Sequence, residues 1–132
     1  MVEPVTARYA DMDVNGHLNN LALETMHENI RATMNSRLFP NVYDVARREV
    51  RLMAAQHVVH FLAEAHWPAT IQAAIGVGRI GRTSYVVGSA LFVDDTCISS
   101  CDTVLVVVDD DGPTPIPDDA RQRMDAIRLR ID

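Results

Sequence analysis

A chain of 132 residues, 48% hydrophobic and 23% charged, has the size and balance of a single domain, 1–132, with a real core. Its net charge of −6 excludes broad nucleic-acid binding, which needs a basic surface, yet a local cluster among the 12 basic residues (all Arg) could still hold a polyanionic small ligand. A basic start followed by an apolar run is missing, as is any apolar run of membrane-spanning length, so a cytoplasmic protein without a membrane partner is expected.

Residues 3–10 read as a short strand, with Val5, Ala7 and Tyr9 alternating against Thr6 and Arg8. The segment Asp11-Met-Asp-Val-Asn-Gly-His-Leu-Asn-Asn20 is dense in turn formers. A helix is predicted from about Asn20, a favoured capping residue. Leu23, Met26, His27, Ile30 and Met34 give it one apolar stripe, and Glu24, Glu28, Arg31 and Asn35 take the other side. Residues 35–48 read as loop with a short helical turn. The stretch from Arg47 to His66 is ambiguous: Val50, Met53, Ala54 and His57 suit a helix, whereas His57-Val-Val-His-Phe61 alternates like a strand.

Beyond it the pattern is plainer. Ile71–Ile80, Thr83–Val93 and Cys97–Val108 are β-rich runs separated by Gly81-Arg82 and Asp94-Asp95, which predicts an antiparallel meander. Cys97 and Cys101 lie about 13 Å apart along one such strand, too far for a disulfide, which needs Cα atoms within about 7 Å. A terminal helix follows the Pro113, Pro115 and Pro117 cluster, with Asp118 and Asp119 at its positive end and Met124 and Ile127 on its inner face. The fold class is α+β: a long helix wrapped by an antiparallel sheet of about five strands, with a short C-terminal helix.

Chemistry concentrates in Asp13-Val-Asn15-Gly-His17-Leu-Asn-Asn20, just ahead of a helix start. Free backbone N–H groups there can polarise a carbonyl oxygen and stabilise the negative charge that develops when it is attacked. An Asp placed before them can attack the carbonyl or deprotonate a water that does. Asp11 reads as a structural turn residue, and His27, on the apolar stripe, as a satisfied core histidine. His17 is open between a substrate-facing and a packed role. His57, His60 and His66 look loosely metal-like, but neither Cys nor carboxylate completes a four-ligand set, so neither metal nor cofactor is expected. Arg79 and Arg82 flank a hairpin turn where phosphates could dock, or where arginines serve solubility alone.

These residues resemble the hotdog-fold thioesterases, in the branch of the 4-hydroxybenzoyl-CoA and acyl-carrier-protein thioesterases. The likeness is carried by Arg8-Tyr9-Ala-Asp11-Met-Asp13-Val-Asn-Gly16-His17-Leu-Asn19-Asn20, then Glu28-Asn-Ile-Arg31, Gly81-Arg-Thr-Ser84, Val104-Leu-Val-Val-Val-Asp109 and Pro115-Ile-Pro-Asp118. It implies a hotdog fold and a strand over residues 50–64. It also implies hydrolysis of an acyl-CoA thioester with Asp13 as nucleophile or general base, assisted by Asn15 and His17. Asn19, Asn20, Leu21 and Leu23 would take the substrate carbonyl at the helix N-terminus, and Arg79, Arg82 and Thr83 would take CoA. The site would form between subunits of a homodimer or homotetramer. Leu23 departs from the family's usual Tyr, which suggests a more apolar pocket. Glu64 is a candidate for a further carboxylate. An acyl-carrier-protein ester is the alternative substrate, and a non-hydrolytic acyl-binding or assembly module the alternative from another class. A hotdog hydratase or dehydratase commonly spaces its acid and base as Asp-x4-His, one residue longer than Asp13 to His17.

Overall fold

The computed structural model describes residues 1–129. Its elements run β1 (Val2–Thr6), a 3-10 turn (Tyr9–Asp11), α1 (Asn20–Leu38), β2 (Arg51–Phe61), β3 (Thr70–Ile80), β4 (Ser84–Val93), β5 (Thr96–Asp109), β6 (Gly112–Pro113) and α2 (Asp118–Ala126). The strands form one antiparallel sheet in the order β1-β3-β4-β5-β2, with β6 pairing the end of β5. Helix α1 packs on β3 and β4. This is the hotdog arrangement that the resemblance implied.

The core follows the periodicities. Leu23, Met26, His27, Ile30 and Met34 are all buried on one face of α1. They meet Ile71, Ala73, Ile75 and Val77 from β3, Tyr85, Val87 and Leu91 from β4, and Leu105 and Val107 from β5, which point inward at every second position. The β3–β4–β5 meander stands as expected, and Asp94 makes the β4–β5 turn with a positive φ of 51°, a conformation short polar residues tolerate. Met124 of α2 is fully buried, while Ile127 is half-buried just past the helix end.

Two expectations are corrected and one ambiguity is settled. The first strand ends at Thr6 rather than continuing to residue 10, because Asp11 takes the Arg8 backbone N–H at 2.8 Å and its guanidinium at 2.9 Å and curls the chain into the 3-10 turn. Helix α1 runs on to Leu38, through residues read as loop, because Asn35 and Leu38 add buried contacts: the Tyr85 hydroxyl donates to Asn35 Oδ1 at 2.8 Å. The stretch whose residues suit either a helix or a strand is strand β2, as the resemblance implied, an edge strand with a register shift between Ala54 and Gln56 and with most of its side chains exposed. That exposure is why its sequence lacks a clean strand alternation.

A polar track crosses the otherwise apolar interior beside α1. His27 Nδ1 lies 2.8 Å from Ser89 Oγ and its Nε2 lies 2.8 Å from Ser99 Oγ. Ser99 Oγ donates to the His60 carbonyl at 2.9 Å, so it can only accept from His27, whose proton therefore sits on Nε2. Nδ1 then accepts from Ser89, and the imidazole is neutral with both nitrogens satisfied. His27 is the core histidine that its stripe position suggested.

Candidate active site

The turn between Met12 and Leu18, which pair in an isolated bridge, is built by Asp13. Its N–H donates to the His17 carbonyl at 2.8 Å, and its carbonyl accepts from Gly16 N–H at 3.1 Å. Its Oδ1 accepts from the backbone N–H of Asn15 at 2.9 Å and of His17 at 3.2 Å. Gly16 closes the turn at φ 76°, the left-handed region where a side chain is costly. The second carboxylate oxygen, Oδ2, has no hydrogen-bond partner among the described residues.

Asn19 is the N-cap of α1: its side chain accepts from Ala22 N–H at 2.7 Å, and its carbonyl accepts from Leu23 N–H at 3.2 Å. The backbone N–H groups of Asn20 and Leu21 are then the free donors of the first turn, without a partner among the described residues. Asp13, His17, Leu18, Asn20, Leu23, Phe61, Leu62, Ala63 and Glu64 line a pocket of about 310 Å³ at this end of the helix.

Of the residues expected at the site, Asp13, His17, Asn20 and Leu23 thus meet at one pocket, and Glu64 joins them. Asn15 is exposed in the turn with its N–H held by Asp13. Asn19 spends its side chain on capping, and Leu21 is exposed on the first helical turn. Arg79, Arg82 and Thr83 are not brought to the pocket within one chain. Their hairpin lies beside Met53 and Val106, whereas the pocket lies beside Phe61 and Ser99, at the opposite end of the sheet. Thr83 O accepts from Val107 N–H at 2.8 Å, and Arg79 and Arg82 are exposed.

Asp11 is buried, and the Arg8 guanidinium holds its carboxyl below the usual carboxylate range, against the opposing effect of burial. It is structural, as read. The three histidines grouped by sequence separate. His57 bonds Thr103 Oγ1 at 3.0 Å on the inner face of β2, His60 is exposed further along that strand, and His66 pairs with His17 across a second isolated bridge. His17 Nε2 lies 3.3 Å from Glu64 Oε2, and the His17 and His66 ring centroids are 4.6 Å apart. Sequence reasoning weighed all three residues but not together, because only the bridge between distant segments joins them.

A family model described as the thioesterase-like superfamily matches residues 7–124. Among solved structures the chain is similar to a predicted thioesterase from Bacillus stearothermophilus, at 22% identity and a TM-score of 0.89, covering 99% of this chain and 98% of that one. It is similar to a thioesterase from Thermus thermophilus complexed with coenzyme A and zinc, at 21% identity and a TM-score of 0.85, covering 99% and 96%. A Staphylococcus aureus protein in complex with CoA gives 10% identity and a TM-score of 0.89, covering 99% and 87%. At these identities the likeness is one of fold. No curated protein matches the chain.

Proposed function

The chain belongs to the thioesterase-like superfamily, and from that premise we propose that it hydrolyses acyl-CoA thioesters, with Asp13 as the reacting carboxylate. One observation carries the reading: a carboxylate anchored through one oxygen, with the other unpartnered, shares a pocket with the free N–H end of α1. The thioester carbonyl oxygen accepts from the Asn20 and Leu21 N–H groups, which strengthen their hold as negative charge develops on it. Asp13 Oδ2 takes a proton from water as the water oxygen bonds to the carbonyl carbon. Collapse of the adduct breaks the C–S bond and expels the CoA thiolate, which recovers the proton, leaving acid and thiol. Direct attack by Oδ2 would instead break the C–S bond and expel the CoA thiolate, giving an anhydride that water opens to the acid and the free carboxylate as the thiolate takes the remaining proton; it uses the same residue. His17 orients water or substrate, and Leu18, Leu23, Phe61 and Leu62 give the acyl group an apolar wall. CoA-bound structures among the fold neighbours support a CoA-type ligand.

The working unit in this proposal is a homodimer paired through β2. That strand bonds β5 along one edge and has no strand on its other edge among the described residues, while Met53, Val58, Phe61 and Leu62 are exposed along or just beyond it. A long unpaired edge of this kind is a template for another strand. Antiparallel two-fold pairing sets the Arg51 end of one copy against the Phe61 end of the other. The hairpin arginines of the second copy then stand at the same end of the combined sheet as this chain's pocket, which gives Arg79 and Arg82 a role that one chain alone does not.

Thiol release from purified protein, measured over a panel of short aliphatic, long-chain and benzoyl-type CoA esters, tests the activity. Turnover of any member supports the reading. Turnover only of acyl-carrier-protein esters moves the substrate, and binding of acyl-CoA that leaves it intact overturns hydrolysis in favour of an acyl-binding module.

A further inference from the structure

His17 and His66 face one another across an isolated antiparallel bridge, held by Leu18 N–H donating to the Ala65 carbonyl at 2.8 Å. Glu64, next but one to His66, puts Oε2 3.3 Å from His17 Nε2. One donor atom from each of the three residues lies within 4.8 Å of the other two. Ligands on one tetrahedral ion, each about 2.1 Å from it, stand roughly 3.4 Å apart, so small side-chain rotations close the set. The backbone on either side of the bridge is already fixed.

A second feature points the same way. His66 Nδ1 lies 3.3 Å from the Gly16 carbonyl, which can only accept. Nδ1 therefore carries the proton, and Nε2 keeps its lone pair. A histidine whose other nitrogen donates to a carbonyl is the usual outer-shell arrangement of a metal ligand, fixing tautomer and ring orientation. Glu64 and His66 are exposed and His17 is half-buried, so an ion reaches them from solvent. Two imidazoles and one carboxylate suit Zn2+ and neighbouring transition ions, whereas Mg2+ and Ca2+ favour all-oxygen sets. The other histidine cluster is poorer: His57 Nδ1 is bonded to Thr103, and Cys101 Sγ, 3.6 Å away, is the one further soft donor beside it among the described residues.

We propose that His17, Glu64 and His66 form a binding site for a single divalent transition-metal ion, Zn2+ foremost, with a fourth coordination position left open. The site stands on its own geometry and is independent of the hydrolytic reading. It adjoins the pocket through His17 and Glu64, so bound metal and bound acyl group share a wall.

The test is calorimetric titration of metal-stripped full-length protein with Zn2+, run on wild type, His66→Ala, Glu64→Gln and His57→Ala, with circular dichroism recorded on each. The proposal expects one Zn2+ per wild-type chain with a dissociation constant in the micromolar range or below. It expects affinity at least about 100-fold weaker in His66→Ala, weaker also in Glu64→Gln, and unchanged in His57→Ala. Both altered ligand residues are exposed, so the variants keep the native spectrum. Absence of a stoichiometric wild-type site overturns the proposal. So does binding that survives both His66→Ala and Glu64→Gln, or that vanishes in His57→Ala, which would move the ion to the Cys101 cluster.

Discussion

Asp13 and His17 are joined twice across one turn: Asp13 N–H donates to the His17 carbonyl at 2.8 Å, and His17 N–H donates back to Asp13 Oδ1 at 3.2 Å. The second bond, with that from Asn15 N–H, fixes one oxygen of the carboxylate and leaves the other without a partner among the described residues. The same turn that Asp13 builds orients the carboxylate on which the proposed reaction depends.

Gly16 makes that turn possible at φ 76°, with nothing within 4 Å of where a Cβ would stand. The penalty for Gly16→Ala is therefore backbone strain alone, about 1–2 kcal/mol. The unfolding free energy in urea should fall by that amount, read as a lower midpoint with the slope unchanged, and thiol release should fall with it as the turn relaxes. A variant as stable and as active as wild type would show that the turn does not depend on this conformation.

His27 sets a pH dependence. Burial, with smaller effects from His57 and Arg31, pushes its imidazole down to about 4 from an ordinary value near 6.5. Above about pH 6.5 neither folded nor unfolded chain protonates it, and it contributes nothing to the slope. Between about 6.5 and 4 the unfolded chain binds the proton and the folded one does not, so stability is lost as pH falls, by about 3 kcal/mol in all. Urea unfolding across that window should show the loss in wild type and a flatter curve in His27→Gln. Parallel curves would contradict the neutral, doubly bonded imidazole.

The proposed pairing of two copies through the edge strand β2 predicts a dimer. Light scattering should give the mass of a dimer for wild type, and Val58→Lys, placing a charge on the exposed edge, should shift it towards the single chain and lower turnover. An active single chain in both proteins would contradict a site shared between copies.

Much of this was legible in the sequence, for physical reasons. The stripe from Leu23 to Met34 and the alternating β3–β5 runs are imposed by burial on one face, and burial writes itself into residue type. Strand β2 resisted reading because an edge with solvent on both faces imposes no alternation, so Ala and Arg there suit a helix equally well. The end of α1 was missed because Asn35 is buried by its bond to Tyr85, fifty residues away. The gathering of Asp13, His17, Asn20 and Leu23 at one pocket was anticipated from the Asp13–Asn20 segment and the resemblance that it carries. The meeting of His17 with His66 was not, since nothing near either residue records the other. Arg79 and Arg82 read naturally as phosphate ligands on a hairpin, yet their distance from the pocket follows only from the register of the whole sheet.

The most direct test of the central claim is kcat/KM for acyl-CoA hydrolysis by wild type and Asp13→Asn. The asparagine side-chain oxygen can accept the same two N–H bonds, so the turn and the melting temperature are kept while the charge is removed. The account predicts a fall of at least about 100-fold in the variant. Equal turnover by the two proteins, with the fold intact in both, would contradict Asp13 as the reacting carboxylate.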